Sequence, residues 1–258
     1  MYEPRSYRGV MGNDALLSFS LAIDETDIWV AVDSESMLRI GRGELTRAAG
    51  HIVRRLRGDL YRAAGERSPS SLFFESLQPL PGHPGDPPVV GEMIRAAEIA
   101  GTGPMAAVAG AFAEAVGREL VRLYGLCDVI VENGGDIWVS GSHDVRFPVY
   151  AGTSPLSGKI GLRVSSDQLP VGVCTSSGSV GHSLSFGRAD ALTVICSSAA
   201  LADALATAAC NRIRGEADVE KVVKELNGRN DVIGALGILG EHAAVCGNCE
   251  VITLNEQD

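Results

Sequence analysis

The alanine-rich segment 202–208 carries two oxygen-bearing side chains that could hold a metal ion. Asp203 and Thr207 are four residues apart, so on a helix they share one face. Carboxylate and hydroxyl oxygens suit Mg²⁺, which also keeps waters and binds ligand phosphates. The structural alternative is that Asp203 supports the first turn of the helix and Thr207 packs. Taken alone, the segment favours this alternative.

A second stretch, "VCTSSGSVGHSLSFG" from Val173 to Gly187, is rich in hydroxyls and glycine and lies between two apolar strands. Consecutive small residues can point several backbone N–H groups into one concavity that binds an anion such as phosphate. His182 could transfer a proton or contact a ligand, although a structural histidine in a polar loop is an equal alternative. The residues that would line the anion site are Thr175, Ser176, Ser177, Gly178 and Ser179.

The third stretch is Asn133-Gly134-Gly135-Asp136, with a strand predicted on each side. The two glycines allow positive φ and a close approach of a ligand to the main chain. An ordinary hairpin turn explains the same residues, because Asn-Gly is a preferred turn dipeptide. The motif is therefore weak evidence of a site when it stands alone.

Hydrophobic patterning indicates which elements must position these stretches. "ALLSFSLAI" and "TDIWVAVD" read as two strands of a hairpin, and apolar residues at helical spacing predict a helix from Gly43 to about Ala64. Later segments predict further helices and short strands, mostly joined by tight turns. Short turns imply antiparallel pairing, so we expect an α+β fold, a largely antiparallel sheet with packed helices.

A breaker-rich stretch at about residues 68–90 holds six of the eleven prolines, at positions 69, 79, 81, 84, 87 and 88. Prolines at this density exclude a regular helix or a central strand. Phe73, Phe74 and Leu77 favour an ordered irregular loop or lid over a solvated linker. We therefore expect one domain, residues 1–258, with this loop as an insertion.

Composition excludes several classes of partner. A net charge of -10 disfavours nucleic acid and anionic membranes, and neither an apolar run long enough to span a bilayer nor a signal peptide is visible. We therefore expect a cytoplasmic protein whose six cysteines are reduced thiols. Cys246 and Cys249 form a C-x-x-C pair, either redox-active or incidental. The arginines between Arg39 and Arg67 form either an anion-binding face or, as we favour, the solvated face of an amphipathic helix.

The three stretches, in this order, resemble the ApbE superfamily of FAD:protein FMN transferases. That superfamily carries a Gly-Gly-Asp element, a Thr-Ser-Gly loop leading to a histidine, and an A-D-A-L-x-T helix. The resemblance is closer to an uncharacterised ApbE-like sister family. It extends from "ETDIWV" through "GPMAAVAGA", "VENGGDIW" and "YAGTSPLSGK" to "ADALATAACN", and so covers most of the chain.

The resemblance implies a T-fold-like architecture with a cleft for a flavin nucleotide, FAD or FMN, and a Mg²⁺ ion. Carried over by position, the metal ligands are Asp203, Thr207 and the main-chain carbonyl of Asn133. The substrate would contact Gly134, Gly135, Asp136 and the residues from Thr175 to Ser179, and His182 would activate the hydroxyl of an acceptor protein. The implied reaction is FMN transfer or cleavage of the FAD pyrophosphate.

The sequence departs from the transferases after His182. They continue with two apolar residues and Asp-Pro, whereas this chain continues with Ser183, Leu184, Ser185 and Phe186. The motifs therefore support nucleotide and metal binding better than they support transfer. The alternative is a non-catalytic accessory protein that binds a ligand or partner in sulfur-amino-acid metabolism, a role suggested only by the sister family.

Overall fold

The computed structural model describes residues 16–67, 69–178 and 187–254. Its largest element is an eight-stranded sheet with the order β1-β2-β3-β4-β7-β8-β9-β10, in which every neighbouring pair is antiparallel. The strands of this main sheet are β1 Leu16–Ile23, β2 Thr26–Asp33, β3 Val129–Asn133, β4 Asp136–Ser140, β7 Val171–Ser176, β8 Ala191–Cys196, β9 Val232–Leu239 and β10 His242–Gly247. A smaller sheet, ordered β11-β6-β5, consists of β5 Val145–Pro148, β6 Ile160–Val164 and β11 Glu250–Thr253.

Seven α-helices occur in the described residues, and short 3₁₀ turns lie at Pro104–Ala107 and Ser166–Gln168. The helices are α1 Ser34–Ile40, α2 Arg42–Gly65, α3 Ser71–Glu75, α4 Pro88–Ala100, α5 Val108–Tyr124, α6 Ala199–Cys210 and α7 Glu216–Asn227. Helices α2, α5, α6 and α7 pack on the main sheet.

The central strands of the main sheet are buried on both faces, which explains their nearly continuous apolar runs. Val129 and Val131 face a core shared with the helices, whereas Ile130 faces a second core formed with the smaller sheet. Successive side chains of a strand point to opposite faces, so a strand between two cores must be apolar at every position. The central strands therefore lack the polar alternation of a half-exposed sheet.

These observations confirm the α+β class, the antiparallel sheet, the β1–β2 hairpin and the long helix α2. The proline-rich stretch differs from the prediction, because it contains the short helix α3 and because α4 begins within it, at Pro88. Proline suits the first turn of a helix, where its missing N–H costs no hydrogen bond. The single-domain organisation stays a prediction.

A buried ion pair anchors the proline-rich stretch. Arg67 Nη2 lies 2.8 Å from Asp86 Oδ2, and the two side chains are 5% and 6% exposed. The Arg67 guanidinium also lies 4.9 Å from the centre of the Phe73 ring and donates to the Ala63 carbonyl. These contacts fix the stretch against α2, so it is an ordered segment rather than a solvated linker.

Among the described residues, no individual helix has both the length and the apolar composition needed to cross a membrane. The bent pair Pro88–Ala100 and Pro104–Tyr124 meets those two criteria only when taken together.

The first turn of helix α6 packs against two glycines, at positions where any larger residue would clash with it. A Cβ atom at Gly172 of β7 would lie 2.2 Å from Ala199 Cα, and one at Gly110 of α5 would lie 2.2 Å from the Ala199 carbonyl oxygen. Main-chain atoms cannot move aside as the end of a flexible side chain can. The two glycines therefore set how deeply the first turn of α6 sits between β7 and α5.

We predict that Gly172→Ala lowers the free energy of unfolding by about 1–3 kcal/mol or more, because the added methyl overpacks against the α6 main chain. The matched control is Gly43→Ala in α2, where a new Cβ meets nothing within 4 Å. That control should leave stability unchanged or raise it by about 0.4–1 kcal/mol. Urea unfolding of both variants tests this, and an unchanged midpoint for Gly172→Ala would contradict the packing account.

Candidate functional site

The predicted site residues that the structure describes gather at one end of the main sheet. Strands β4 and β7 are neighbours, with Ile137 opposite Val173, so the start of β4 lies beside the end of β7. The main-chain N–H of Thr175 hydrogen-bonds to the Asp136 carboxylate, which joins two of the three predicted stretches. The alanine-rich segment 202–208 reaches the same place through Asp203, which accepts a hydrogen bond at the N-terminus of α5.

The Gly134-Gly135 turn is both a hairpin turn and an open surface. Asn133 pairs with Asp136 across it, and the two glycines have φ values of 69° and 104°. The Gly135 N–H donates to Glu132 Oε1 over 2.6 Å, and a Cβ at either glycine would meet nothing within 4 Å. Positive φ explains the glycines without a ligand, while the open space leaves the main chain accessible to one.

Helices α5 and α6 cap each other with carboxylates. Asp203 of α6 accepts the Gly110 N–H over 2.9 Å, and the Ala109 N–H as well, at the start of α5. Glu114 of α5 accepts the Ala199 N–H over 2.7 Å at the start of α6. The first N–H groups of a helix have no partner within it and carry partial positive charge, so each carboxylate satisfies and is stabilised by the other helix.

Asp136 and Asp203 form a pair of buried like charges. Burial raises the pKa of Asp203 to about 7, against the lowering effect of the Gly110 and Ala109 N–H groups. Burial also raises the pKa of Asp136 well above its ordinary value, and the charge of Asp203 raises it further. Neither shift has a cationic side chain among its causes. Both carboxylates are therefore ionised together only at a cost, unless a cation joins them.

Cys174 lies between these groups as a buried thiol. Its Sγ donates to the Ala199 carbonyl over 3.3 Å. Burial, followed by the charges of Asp136 and Asp203, raises the pKa of this thiol well above its ordinary value. Cys174 is thus a buried, neutral hydrogen-bonding group beside the carboxylates.

The contacts of Asn133 and Thr207, the other two predicted metal ligands, relate them to Asp203 only indirectly. Asn133 Nδ2 donates to the Ala109 carbonyl over 3.2 Å, which brings Asn133 to the same helix start as Asp203. Thr207 lies one turn beyond Asp203 on the same face of α6, as the spacing predicts, and is partly exposed. Convergence of Asp203, Thr207 and the Asn133 carbonyl on one ion stays a prediction.

The hydroxyl-rich stretch corrects one expectation. Thr175 and Ser176 are the last residues of β7 and pair with Thr193 and Leu192, so they are not part of an open loop. The Gly178 N–H donates to the Ala189 carbonyl over 2.8 Å, and the Thr175 N–H is taken by Asp136. The predicted nest of free N–H groups over residues 175–178 is therefore wrong for these two donors. Thr175 and Thr193 also join through their hydroxyls, whose oxygens lie 2.8 Å apart.

Ser179 and His182 lie outside the described residues. The residues on either side of that gap, Gly178 and Gly187, touch each other, since a Cβ at Gly178 would lie 2.3 Å from the Gly187 carbonyl oxygen. A Cβ at Gly187 would lie 1.9 Å from the Cys210 carbonyl oxygen at the end of α6. Gly178 and Gly187 therefore lie side by side, close to the C-terminal end of α6.

Sequence reasoning missed Glu114 and the pair Ala109-Gly110 as parts of this site. Glu114 is the only acidic residue of the small-residue run "AAVAGAFAEAVG", which was a usable signal. Its partners on α6 become visible only in three dimensions, since the contact spans 85 positions. Within the described residues, no group of three or more His, Cys, Asp or Glu side chains is placed to hold a metal ion.

Comparison of the architecture with solved structures places this fold among the ApbE flavin transferases. The apo flavinyl transferase ApbE of Pseudomonas stutzeri superposes with a TM-score of 0.57 over 90% of this chain and 93% of that one, at 15% identity. A mutant flavin transferase ApbE of Vibrio cholerae gives a TM-score of 0.52 over 90% and 96%, at 14% identity. These likenesses show the fold.

Sequence comparison then identifies the family. The family model described as "AbpE bacteria" matches residues 9–235. A UPF0280 protein of Methanococcus aeolicus is 36% identical over 88% of both chains, and one of Methanococcus vannielii is 34% identical over 94% of this chain and 95% of its own. This chain belongs to the ApbE-like family that includes the UPF0280 proteins.

The carboxylate pair predicts an unusual pH dependence of stability. Asp203 has a pKa of about 7 in the fold and an ordinary value of 3.8, so between these values the folded chain binds a proton that the unfolded chain does not. Stability without metal must then fall as pH rises through this range. We predict that the difference in the free energy of unfolding between Asp203→Asn and wild type is about 1–3 kcal/mol higher at pH 8 than at pH 5. The variant thus gains stability relative to wild type as the pH rises.

Urea unfolding in buffer with EDTA measures this difference. The control is Asp86→Asn, because Arg67 and the His83 N–H lower the pKa of Asp86 against the raising effect of burial. A lowered pKa contributes fully at every pH above the ordinary value, so the stability deficit of this control should be equal at pH 5 and pH 8. If the stability difference between Asp203→Asn and wild type is also equal at pH 5 and pH 8, the fold does not raise the pKa of Asp203, and the account of the carboxylate pair is wrong.

Proposed function

We propose that this protein binds a flavin nucleotide, FAD or FMN, beside the Gly134-Gly135 turn and uses Mg²⁺ for FMN transfer to an acceptor protein or for cleavage of the FAD pyrophosphate. The fold it shares with the ApbE flavin transferases supports the flavin. The observation that carries the proposal is the buried pair Asp136 and Asp203, which lies at an accessible main-chain turn and has raised pKa values. A divalent cation between the protein and a nucleotide pyrophosphate would remove that stress.

The residues present fit a magnesium ion. Asp203, Thr207 and the Asn133 carbonyl offer a carboxylate, a hydroxyl and a carbonyl oxygen, the hard donors that Mg²⁺ prefers. Few protein ligands leave positions for water and phosphate oxygens, which is usual for Mg²⁺ at phosphate sites. When bound, the ion supplies charge neutralisation at the pyrophosphate.

The chain's own groups would hold and orient the nucleotide. The open turn at Gly134 and Gly135 lets the phosphates approach the main chain, and the end of β7 with its hydroxyls at Thr175 and Ser176 forms the neighbouring wall. His182 stands in sequence where a base would accept the proton of the acceptor hydroxyl. The role of His182 rests on the motif alone, since it lies outside the described residues.

A second function is favoured by two specific observations. Asp203 already accepts N–H groups from α5, so its retention has a structural explanation. The Asp-Pro element that follows the histidine in the transferases is also missing. Both observations fit a protein that binds the nucleotide, or another ligand, without turning it over and acts as an accessory protein.

We predict that wild-type protein binds FAD more tightly with Mg²⁺ than without it, and that Thr207→Val removes most of that difference. The valine is close in shape to threonine and leaves the Asp203 cap in place, so the variant should fold. Thr207→Ser should restore the effect because it restores the hydroxyl. Calorimetric titration with FAD, with and without Mg²⁺, measures the binding, and Asp167→Ala at an exposed position serves as control.

Turnover is assayed on the same proteins by separating FAD, FMN, AMP and flavin-labelled acceptor peptide. If transfer or cleavage occurs, Asp203→Ala should lower its rate roughly a thousandfold, because stabilisation of developing phosphate charge is lost. His182→Ala should lower it by roughly a hundred- to ten-thousandfold while FAD still binds. If FAD binds but is not turned over at any Mg²⁺ concentration, the enzyme proposal is wrong and the accessory-protein proposal stands. If FAD does not bind, the flavin proposal is wrong.

A further inference from the structure

Strand β1 is an edge of the main sheet that lacks the usual protection. It pairs with β2 along all eight residues, and among the described residues no strand pairs with its other side. Its sequence "LLSFSLAI" contains no charge and no proline. Proteins normally shield a long edge strand with charged side chains, prolines or bulges, because its free N–H and C=O groups invite another strand. As far as the described residues go, this edge is therefore open to pairing.

A groove runs between this edge and helix α2. It has a volume of about 220 Å³ and is lined on the strand side by Leu21, Ala22 and Ile23. The helix side presents Thr46, Arg47, Gly50, His51 and Arg54. The lining contains two arginines, a histidine and no acidic side chain, in a chain whose net charge is -10. The groove therefore has a local charge opposite to that of the protein as a whole.

The cations of the groove are incompletely neutralised. Arg47 pairs with Glu44 on the exposed surface of α2, a contact of the kind that contributes little. Arg54 has no ion-pair partner within the described part of the chain, and the nearby acidic residues Asp24 and Glu25 are both paired with Arg57. The positive charge of Arg47 and Arg54 is thus not fully paired within the described residues, so it can interact with an anionic partner.

Spacing adds to this complementarity. Arg47 and His51 are four residues apart on α2, a rise of about 6 Å along the helix. Alternate side chains of an extended segment are about 7 Å apart and lie on one face. Acceptor side chains two positions apart on such a segment therefore match the spacing of the donors Arg47 and His51 along the helix.

We propose that the β1–α2 groove binds an extended, acidic segment of a partner protein, which adds to the sheet as a strand beside β1. Main-chain hydrogen bonds to β1 would hold the segment, and its acidic side chains would face Arg47, His51 and Arg54. Strand addition of this kind takes affinity from the main chain and specificity from the side chains. A second copy of this chain fits less well, because pairing β1 with β1 would bring the arginines of both copies together.

The groove lies at the same end of the sheet as the candidate site. Leu21 is opposite Ile28, and Ile28 is opposite Asn133, so the two places are two strand spacings, about 10 Å, apart across the sheet. A docked segment would lie one strand spacing beyond β1, about 14 Å from Asn133, at the end of the sheet where an acceptor hydroxyl is needed. This last connection rests on the proposed function, whereas binding in the groove does not.

The test is binding of a fluorescein-labelled octapeptide that alternates Glu with Thr, followed by fluorescence anisotropy on full-length protein without flavin. We expect binding, and we expect Arg54→Glu and Arg47→Glu each to weaken it roughly tenfold or more, since reversal of a close charge turns attraction into repulsion. The matched control is Arg95→Glu on α4, which, like Arg47, is exposed and pairs with a glutamate three residues earlier. It should bind the peptide as wild type does.

Two further probes separate strand addition from simple charge attraction. The same peptide with N-methyl groups on alternate main-chain nitrogens should bind much more weakly, because it cannot complete the hydrogen bonds to β1. Equal binding of the methylated peptide, equal binding by Arg54→Glu, or no binding by wild type overturns the proposal. The proposal is also overturned if a single-stranded oligonucleotide binds the protein more tightly than the peptide does. The same holds if a dimer of this chain forms through the groove and displaces the peptide. Because no flavin is present, these outcomes are independent of any failure of FAD binding or transfer.

Discussion

The exchange of carboxylate caps between α5 and α6 is the interaction on which the candidate site depends. Asp203 accepts an N–H group at the start of α5, and Glu114 accepts one at the start of α6, so each helix start is partly satisfied by the other helix. Gly110 and Gly172 allow the two helix starts to approach closely enough for this exchange. The exchange places a carboxylate, a glycine turn and the end of β7 within one small region. The stability of the fold and the composition of the site are therefore set by the same contacts.

This arrangement gives Asp203 two competing tasks. As a cap it accepts main-chain N–H groups, which favour its ionised form, whereas its burial raises its pKa and favours the protonated form. A bound cation would settle the competition in favour of ionisation while leaving the cap in place. Structural and functional explanations of this residue are thus compatible, and its presence in the sequence motif does not distinguish between them.

The fold was largely predictable because its signals are local. Helix α2 follows from the spacing of Leu45, Ile52 and Leu56, and the β1–β2 hairpin follows from two apolar runs around a tight turn. The start of α4 was missed because Pro88 was interpreted as a breaker, although proline is favourable in a first helical turn. Of the candidate site, only the residues that belong to the three sequence motifs could be predicted. Glu114, Cys174 and Ala109 join it through contacts between distant parts of the chain, which no spacing rule reveals.

The central claim is that the buried pair Asp136 and Asp203 marks a cation site for a flavin nucleotide. Crystals grown with FAD and Mn²⁺, a substitute for Mg²⁺ that can be located by its anomalous scattering, test it most directly. The account predicts one anomalous peak within coordination distance of Asp203, Thr207 and the Asn133 carbonyl, with the FAD pyrophosphate beside the Gly134-Gly135 turn. FAD bound at this turn without a peak, or a peak away from Asp203, would contradict it.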